Sequence, residues 1–138
     1  MGFVWNGDKM VFGDPTTNRL GYWDINNSLH YGDNVTWDIK TQLVYPEGKR
    51  AIVDKLELVA LLGRNQNEAS VRSSFSVDGI VWSQERQIVL DRFNRSTKRL
   101  AWFRDGLISQ WRIQRFSGDS SANLSILRLE VEVSPLVY

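Results

Sequence analysis

The stretch Ala69-Ser-Val-Arg-Ser-Ser-Phe-Ser-Val-Asp-Gly-Ile-Val-Trp-Ser83 constrains the fold more than any other part of the chain. It reads as two extended runs folded over an Asp78-Gly79 corner and closed by Trp82. Asp-Gly between alternating apolar residues favours a tight hairpin, because both central positions of a primed turn take φ > 0. A hairpin of this kind is a unit of antiparallel sheet, and the rest of the chain keeps the same two-residue period.

Helical periodicity is nearly absent, the one candidate being a short turn within residues 46–51. Residues 3–24 hold three brief extended runs, turning at Asn6-Gly7 and at Gly13-Asp14-Pro15, and too little apolar content to stand alone. Residues 26–34 read as a polar connector. Beyond it Trp37, Ile39, Thr41, Leu43 and Tyr45 share one face, and Leu56, Leu58, Ala60 and Leu62 share another. Trp111 and Ile113 alternate with Arg112 and Gln114, which puts the two apolar residues inward. In the last run Leu127, Leu129, Val131 and Val133 point in, against Arg128, Glu130 and Glu132, and Pro135 stops it. Seven or so antiparallel strands spaced by turns predict an all-β fold. The expected architecture is an antiparallel β-sandwich, jelly-roll-like, over residues 37–138, preceded by a β-meander and connector over residues 1–36.

The 138 residues fit one domain with a small appendage, and the absence of cysteine excludes disulfides and thiolate metal sites. No apolar run approaches the roughly 20 residues of a membrane span. The N-terminus has neither a basic nor an apolar region of the signal-peptide kind, and Met-Gly reads as a start placed before a fragment. A net charge of +1 gives no general pull toward nucleic acid. The distribution is less even, because Arg86, Arg92, Arg95, Lys98, Arg99, Arg104, Arg112 and Arg115 crowd one stretch with few acids. Two readings stay open: a solvated face of edge strands, or a contact with an acidic protein or a nucleic-acid backbone.

Chemistry is nearly absent from the sequence. His30 is the only histidine, stands in the connector, and cannot build a usual zinc site alone. Asp33, Asp38 and Asp78 are single carboxylates in turn or strand-end positions, so they mark no glycosidase pair. EF-hand, Walker, Rossmann and nucleophile-elbow signatures are missing. No cofactor is expected. Of the six tryptophans, Trp37, Trp102 and Trp111 fall on apolar phases, while Trp82 follows the turn and is the candidate aromatic platform for a sugar ring. These absences describe a binding or assembly module rather than an enzyme.

The order of features resembles the C-terminal part of the packaged-DNA stabilisation proteins of short-tailed bacteriophages, which are tail accessory or tail-hub subunits. Gly13-Asp14 and Gly21 to Asp24 stand where that family has a meander. Phe75-Ser-Val-Asp-Gly-Ile-Val-Trp82 echoes its Asp-Gly hairpin, and Lys98-Arg-Leu-Ala-Trp-Phe-Arg104 with Trp111-Arg-Ile-Gln-Arg-Phe116 is similar to its aromatic-arginine run. Family members are usually several times longer, with a propeller-like region ahead, so residues 3–24 would be the remnant of a blade and the least stable part. The resemblance implies a non-enzymatic virion protein of the phage tail, assembled in the bacterial cytoplasm. It implies a six-fold ring in the full-length protein, partners in the portal adaptor, tail needle and tailspike proteins, and no sequence-specific nucleic acid. Arg99, Arg104, Arg112 and Arg115 are then the candidate interface residues, since arginine and aromatics are enriched in interface hot spots. The rival expectations are a carbohydrate-binding module built on Trp82, and a glycan hydrolase fragment using Asp33, Asp38 or Asp78 as acid or base.

Overall fold

A computed structural model describes residues 2–27, 29–45, 49–63, 69–90, 98–120 and 123–136. Arg92 and Arg95, and residues 46–48 of the expected turn, lie outside them. The chain divides into two compact units, Met1–Val35 and Thr36–Tyr138.

In the first unit β1 (Phe3–Asn6), β2 (Lys9–Gly13) and β3 (Leu20–Tyr22) form an antiparallel meander in sequence order. The β1–β2 hairpin pairs Asn6 with Lys9 and turns through Gly7 at φ 67°. Asp14 organises the next turn by accepting from Thr16 N, Thr16 Oγ1 and Thr17 Oγ1. The expected connector contains a further hairpin, β4 (Leu29–His30) against β5 (Asp33–Asn34). Its turn residues Tyr31 and Gly32 both have φ > 0, the requirement of a primed turn, and Tyr-Gly does not announce that geometry as Asn-Gly does. Phe3, Trp5, Leu20 and Trp23 remain largely exposed in this unit.

The second unit is two antiparallel sheets around one core. One sheet has the order β6 (Thr36–Val44), β12 (Trp111–Asp119), β8 (Ala69–Ser76), β9 (Arg86–Leu90). In the other, β7 (Ala51–Leu62) is central, with β13 (Leu124–Pro135) along one side. Its other side carries β10 (Leu100–Phe103) and then β11 (Leu107–Ile108), which together form one interrupted edge strand. Val53, Leu56, Leu58, Leu100 and Trp102 from this sheet meet Val71, Leu90 and Phe116 from the first. The Trp102 and Phe116 rings pack across the gap at 5.6 Å between centroids, tilted by 45°.

Two bulges explain where alternation fails. On β7, Val53 pairs with Val133 and Lys55 with Glu132, so Asp54 has no opposite residue. The extra residue lets Ala51 and Val53 point inward with Leu56 and Leu58, although they differ in parity. On β13 the register shifts between Ile126 and Arg128, which turns Leu127 out to 60% exposure. The expectation that Leu127 faces the core is therefore corrected, while Leu129, Val131 and Val133 do pack against it.

The larger correction is on β12. Its buried positions are Arg112, Gln114, Phe116 and Gly118, so the polar phase faces the core and Trp111 and Ile113 face outward. Strand alternation alone is blind to this, because buried polar partners for Arg112 and Gln114 come from elements distant in sequence.

Candidate functional site

Among the described residues, the arginines that crowd together in sequence do not form one patch. Arg99 lies on the outer face of the β7 sheet, where its Nε donates to Glu57 Oε1 at 2.6 Å and its Nη2 to Oε2. Lys55 Nζ stands 2.8 Å from Glu57 Oε2 and 3.0 Å from Glu132 Oε1, extending the ladder across the strands. Arg99 first, and Lys55 second, hold the Glu57 carboxyl down at about 2. Arg115 lies on the outer face of the opposite sheet, ion-paired through Nη2 to Glu85 at 2.7 Å and donating from Nε to Ser74 Oγ at 3.2 Å. Arg104 occupies the break between β10 and β11 at φ 53°, with its amide donating to Asp54 O at 2.8 Å and its side chain exposed.

Arg112 is the exception, and as an outward interface contact it is corrected by the structure. It is fully enclosed between the sheets, with Nη2 donating to Asp105 Oδ2 at 2.7 Å and Nη1 donating to the Asp105 main-chain oxygen. Its guanidinium also lies 4.5 Å from the centroid of the Phe75 ring. Arg86 reaches the same carboxylate at 3.0 Å, and Gln114 Nε2 donates to Ser73 Oγ at 2.7 Å. Burial lowers the Arg112 pKa, opposed by the Asp105 charge. A guanidinium so placed holds strands together and offers nothing to a neighbouring molecule. Sequence reasoning missed Asp105 and put Gln114 on the outward face; the one available signal was an acid directly before Gly106, in a turn that needs an anchor.

The Asp78 turn is more elaborate than a two-residue corner. Asp78 Oδ1 accepts from Ile80 N, Val81 N and the Ser76 hydroxyl, while Gly79 N donates to Ser76 Oγ. Gly79, at φ 78°, provides the left-handed step. Ser83 then returns to β8, its amide donating to Phe75 O and its hydroxyl accepting from Phe75 N. The Ile80 and Val81 amides, followed by the Ser76 hydroxyl, lower the Asp78 pKa, opposite to the shift a general acid needs.

Folding back in this way lays Trp82 over its own sheet. The Arg115 guanidinium sits 4.6 Å from the Trp82 ring centroid and the Lys40 ammonium 5.7 Å from it. The ring thus forms a cation–π clamp, and Trp82 is part-buried rather than presented as a flat platform. His30 is exposed, edge-on to Tyr31 at 4.8 Å. Among the described residues no group of three or more His, Asp or Glu stands together as a metal site.

Two stiff antiparallel sheets, with charged ladders on both outer faces, define a structural β-sandwich. A family model described as Bacteriophage P22 Gp10, beta-sandwich, matches residues 36–134, nearly the whole second unit. The chain belongs to that family, the tail-hub proteins of short-tailed phages, and is a structural protein of the phage virion tail. No curated protein matches the chain.

Proposed function

We propose that this chain serves in a tail hub that helps close the portal channel after packaging, retains the packaged DNA and gives attachment to other tail parts. The observation that carries this reading is the family match over residues 36–134. The placement of the arginines supports it. A ring subunit meets its neighbours through two different faces, and further partners need more surface still. Arg99 and Arg115 lie on opposite outer faces of the sandwich, and Arg104 stands at its interrupted edge. On this reading the portal adaptor, tail needle and tailspike proteins are the partners, and the ring forms in the full-length protein. The exposed Phe3, Trp5 and Trp23 suit a meander that packs against further protein.

The test is co-sedimentation of the chain with DNA-filled heads lacking their hub, and separately with host surface polysaccharide. Binding to heads, weakened by Arg104→Glu with an unchanged melting temperature, is the expected result. Arg104 is the cleaner probe, because Arg99→Glu would also break the Glu57 pair. Binding to polysaccharide alone, lost in Trp82→Ala, would refute the assembly role.

A further inference from the structure

A second surface stands apart from those arginines, at the end of the sandwich where β12 begins. There a cleft of about 400 Å³ is lined by Arg50, Val77, Ser109, Gln110 and Trp111. Trp111 points outward beside Val44, its partner across the β6–β12 ladder. The Asp78 turn leans on the same outer face, since a Cβ on Gly79 would touch Ile113 Cδ1 at 3.5 Å. From that turn Val77, Ile80 and Val81 project into solvent, Ile80 at 83% exposure. Isolated exposed aliphatics are ordinary, but here Val77 lines the cleft with Trp111, and Ile80 and Val81 follow it on a turn fixed by four hydrogen bonds. A fixed turn loses little conformational freedom when it is covered.

Charge identifies the occupant. Among the described residues no carboxylate lies within 4 Å of the Arg50 guanidinium, and Lys49 beside it is equally unpaired. The Asp78 carboxylate at this end is turned into its own loop. The cleft therefore sets the apolar surfaces of Trp111 and Val77 beside an arginine that meets no carboxylate among the described residues. A second copy of the chain meeting this cleft with its own would set Arg50 against Arg50, which like-charge repulsion opposes. Nucleic acid would need a longer track of cations and bases stacked on aromatic faces, whereas the projecting side chains here are aliphatic. We propose that this cleft and the apolar turn beside it dock an extended segment of another protein, one carrying a carboxylate next to a large apolar side chain. The apolar residue enters against Trp111 and Val77, and the carboxylate pairs with Arg50.

The inference is independent of the tail role and is tested on the chain alone. A random-peptide display library is panned against the 138-residue chain, and enriched sequences are synthesised and titrated. The expected outcome is enrichment of Asp or Glu within a few positions of Trp, Phe or Leu. Arg50→Glu and Ile80→Asp should each weaken binding about tenfold or more, while Lys9→Glu in the other unit has no effect. Both positions are exposed, so folding is not at stake, and an unchanged melting temperature verifies this. Failure to enrich any peptide, enrichment without acids, or indifference to Arg50→Glu would overturn the proposal. So would self-association of the chain abolished by Ile80→Asp, which would assign the patch to a second copy.

Discussion

Asp105→Ala tests the interior directly. In the native protein the Asp105 carboxylate is met by Arg112 at 2.7 Å and Arg86 at 3.0 Å, and Arg112 is wholly enclosed. The substitution leaves the Arg112 guanidinium with the residue 105 carbonyl and the Phe75 face, and no counter-charge. Breaking a buried pair by removing one partner costs about 3–5 kcal/mol, because the orphaned charge stays desolvated. A domain of this size loses about 4–8 °C of melting temperature per kcal/mol, so a fall of roughly 12–40 °C is expected. Adding Arg112→Met removes the orphan and should recover most of the loss, to within about 1–2 kcal/mol of the parent. Arg112→Met alone should cost less than Asp105→Ala, since Arg86 still pairs the carboxylate. Urea unfolding followed by circular dichroism and tryptophan fluorescence reads the cycle; Trp102 is well placed, as its Nε1 donates to Arg86 O at 2.9 Å. A loss under about 1 kcal/mol for Asp105→Ala, with no recovery in the double variant, would refute the reasoning. It would mean that the Arg112 guanidinium is hydrated or finds another partner when the carboxylate is removed.

Three further outcomes are expected. Gly118→Ala would place a Cβ 2.7 Å from Trp37 Cζ2, against the body of a ring rather than a flexible tip. Thermal melting should show a loss of about 1–3 kcal/mol, and an unchanged melt would mean that Trp37 swings away freely. Glu57, held at about 2 against an ordinary value of 4.5, contributes stability that is complete above pH 4.5 and declines as pH falls toward 2. Glu57→Gln should therefore lower the melting temperature at pH 7 and flatten its fall between pH 5 and 2; parallel curves for the two proteins would rule this out. Asp78→Ala removes the acceptor shared by Ile80 N, Val81 N and Ser76 Oγ. The turn should become a site of rapid proteolysis and the fluorescence of Trp82 should change, whereas protease resistance equal to the parent's would contradict the turn's role.

Strands and their order along the chain were legible because a half-buried antiparallel strand writes its burial into every second residue. Leu56, Leu58 and Leu62 obey that rule, as do Trp37 and Leu43. Bulges break it without a local signature, which is why Leu127 reads inward in the sequence and stands in solvent. β12 breaks it for a different reason. Arg112 can be buried only because Asp105 arrives from the β10–β11 break, and Gln114 only because Ser73 arrives from β8. Partners of that kind are a property of the folded sheets and leave no periodicity. The arginine-rich stretch was visible too, but not its dispersal. β9 and β12 enter one sheet while β10 and β11 between them enter the other, so neighbours in sequence end on opposite faces or inside.

The interior pair also explains how Arg104 comes to be displayed. Residues 104–106 depart from the strand path, with Arg104 at φ 53° and Gly106 at φ 87°. Opposite them on β7 lies the Asp54 bulge, and the two irregularities fit together. Arg104 N donates to Asp54 O, Asp105 N to Val53 O, and Val53 N to Gly106 O, all at 2.8–2.9 Å. Arg112 then secures the turn from beneath through both the carbonyl and the carboxylate of Asp105. Residue 106 favours glycine for its φ of 87°, since a Cβ there would meet Phe75 and the Arg112 guanidinium only at ordinary contact distances of 3.5–3.7 Å. A non-glycine residue in the left-handed region costs on the order of 1 kcal/mol and persists only where its surroundings over-determine it. At Arg104 they do: the bulge, the buried ion pair and Gly106 together hold an exposed arginine on a rigid turn. A side chain so mounted gives up little backbone freedom when it is covered, which lowers the ordering cost of any contact it makes.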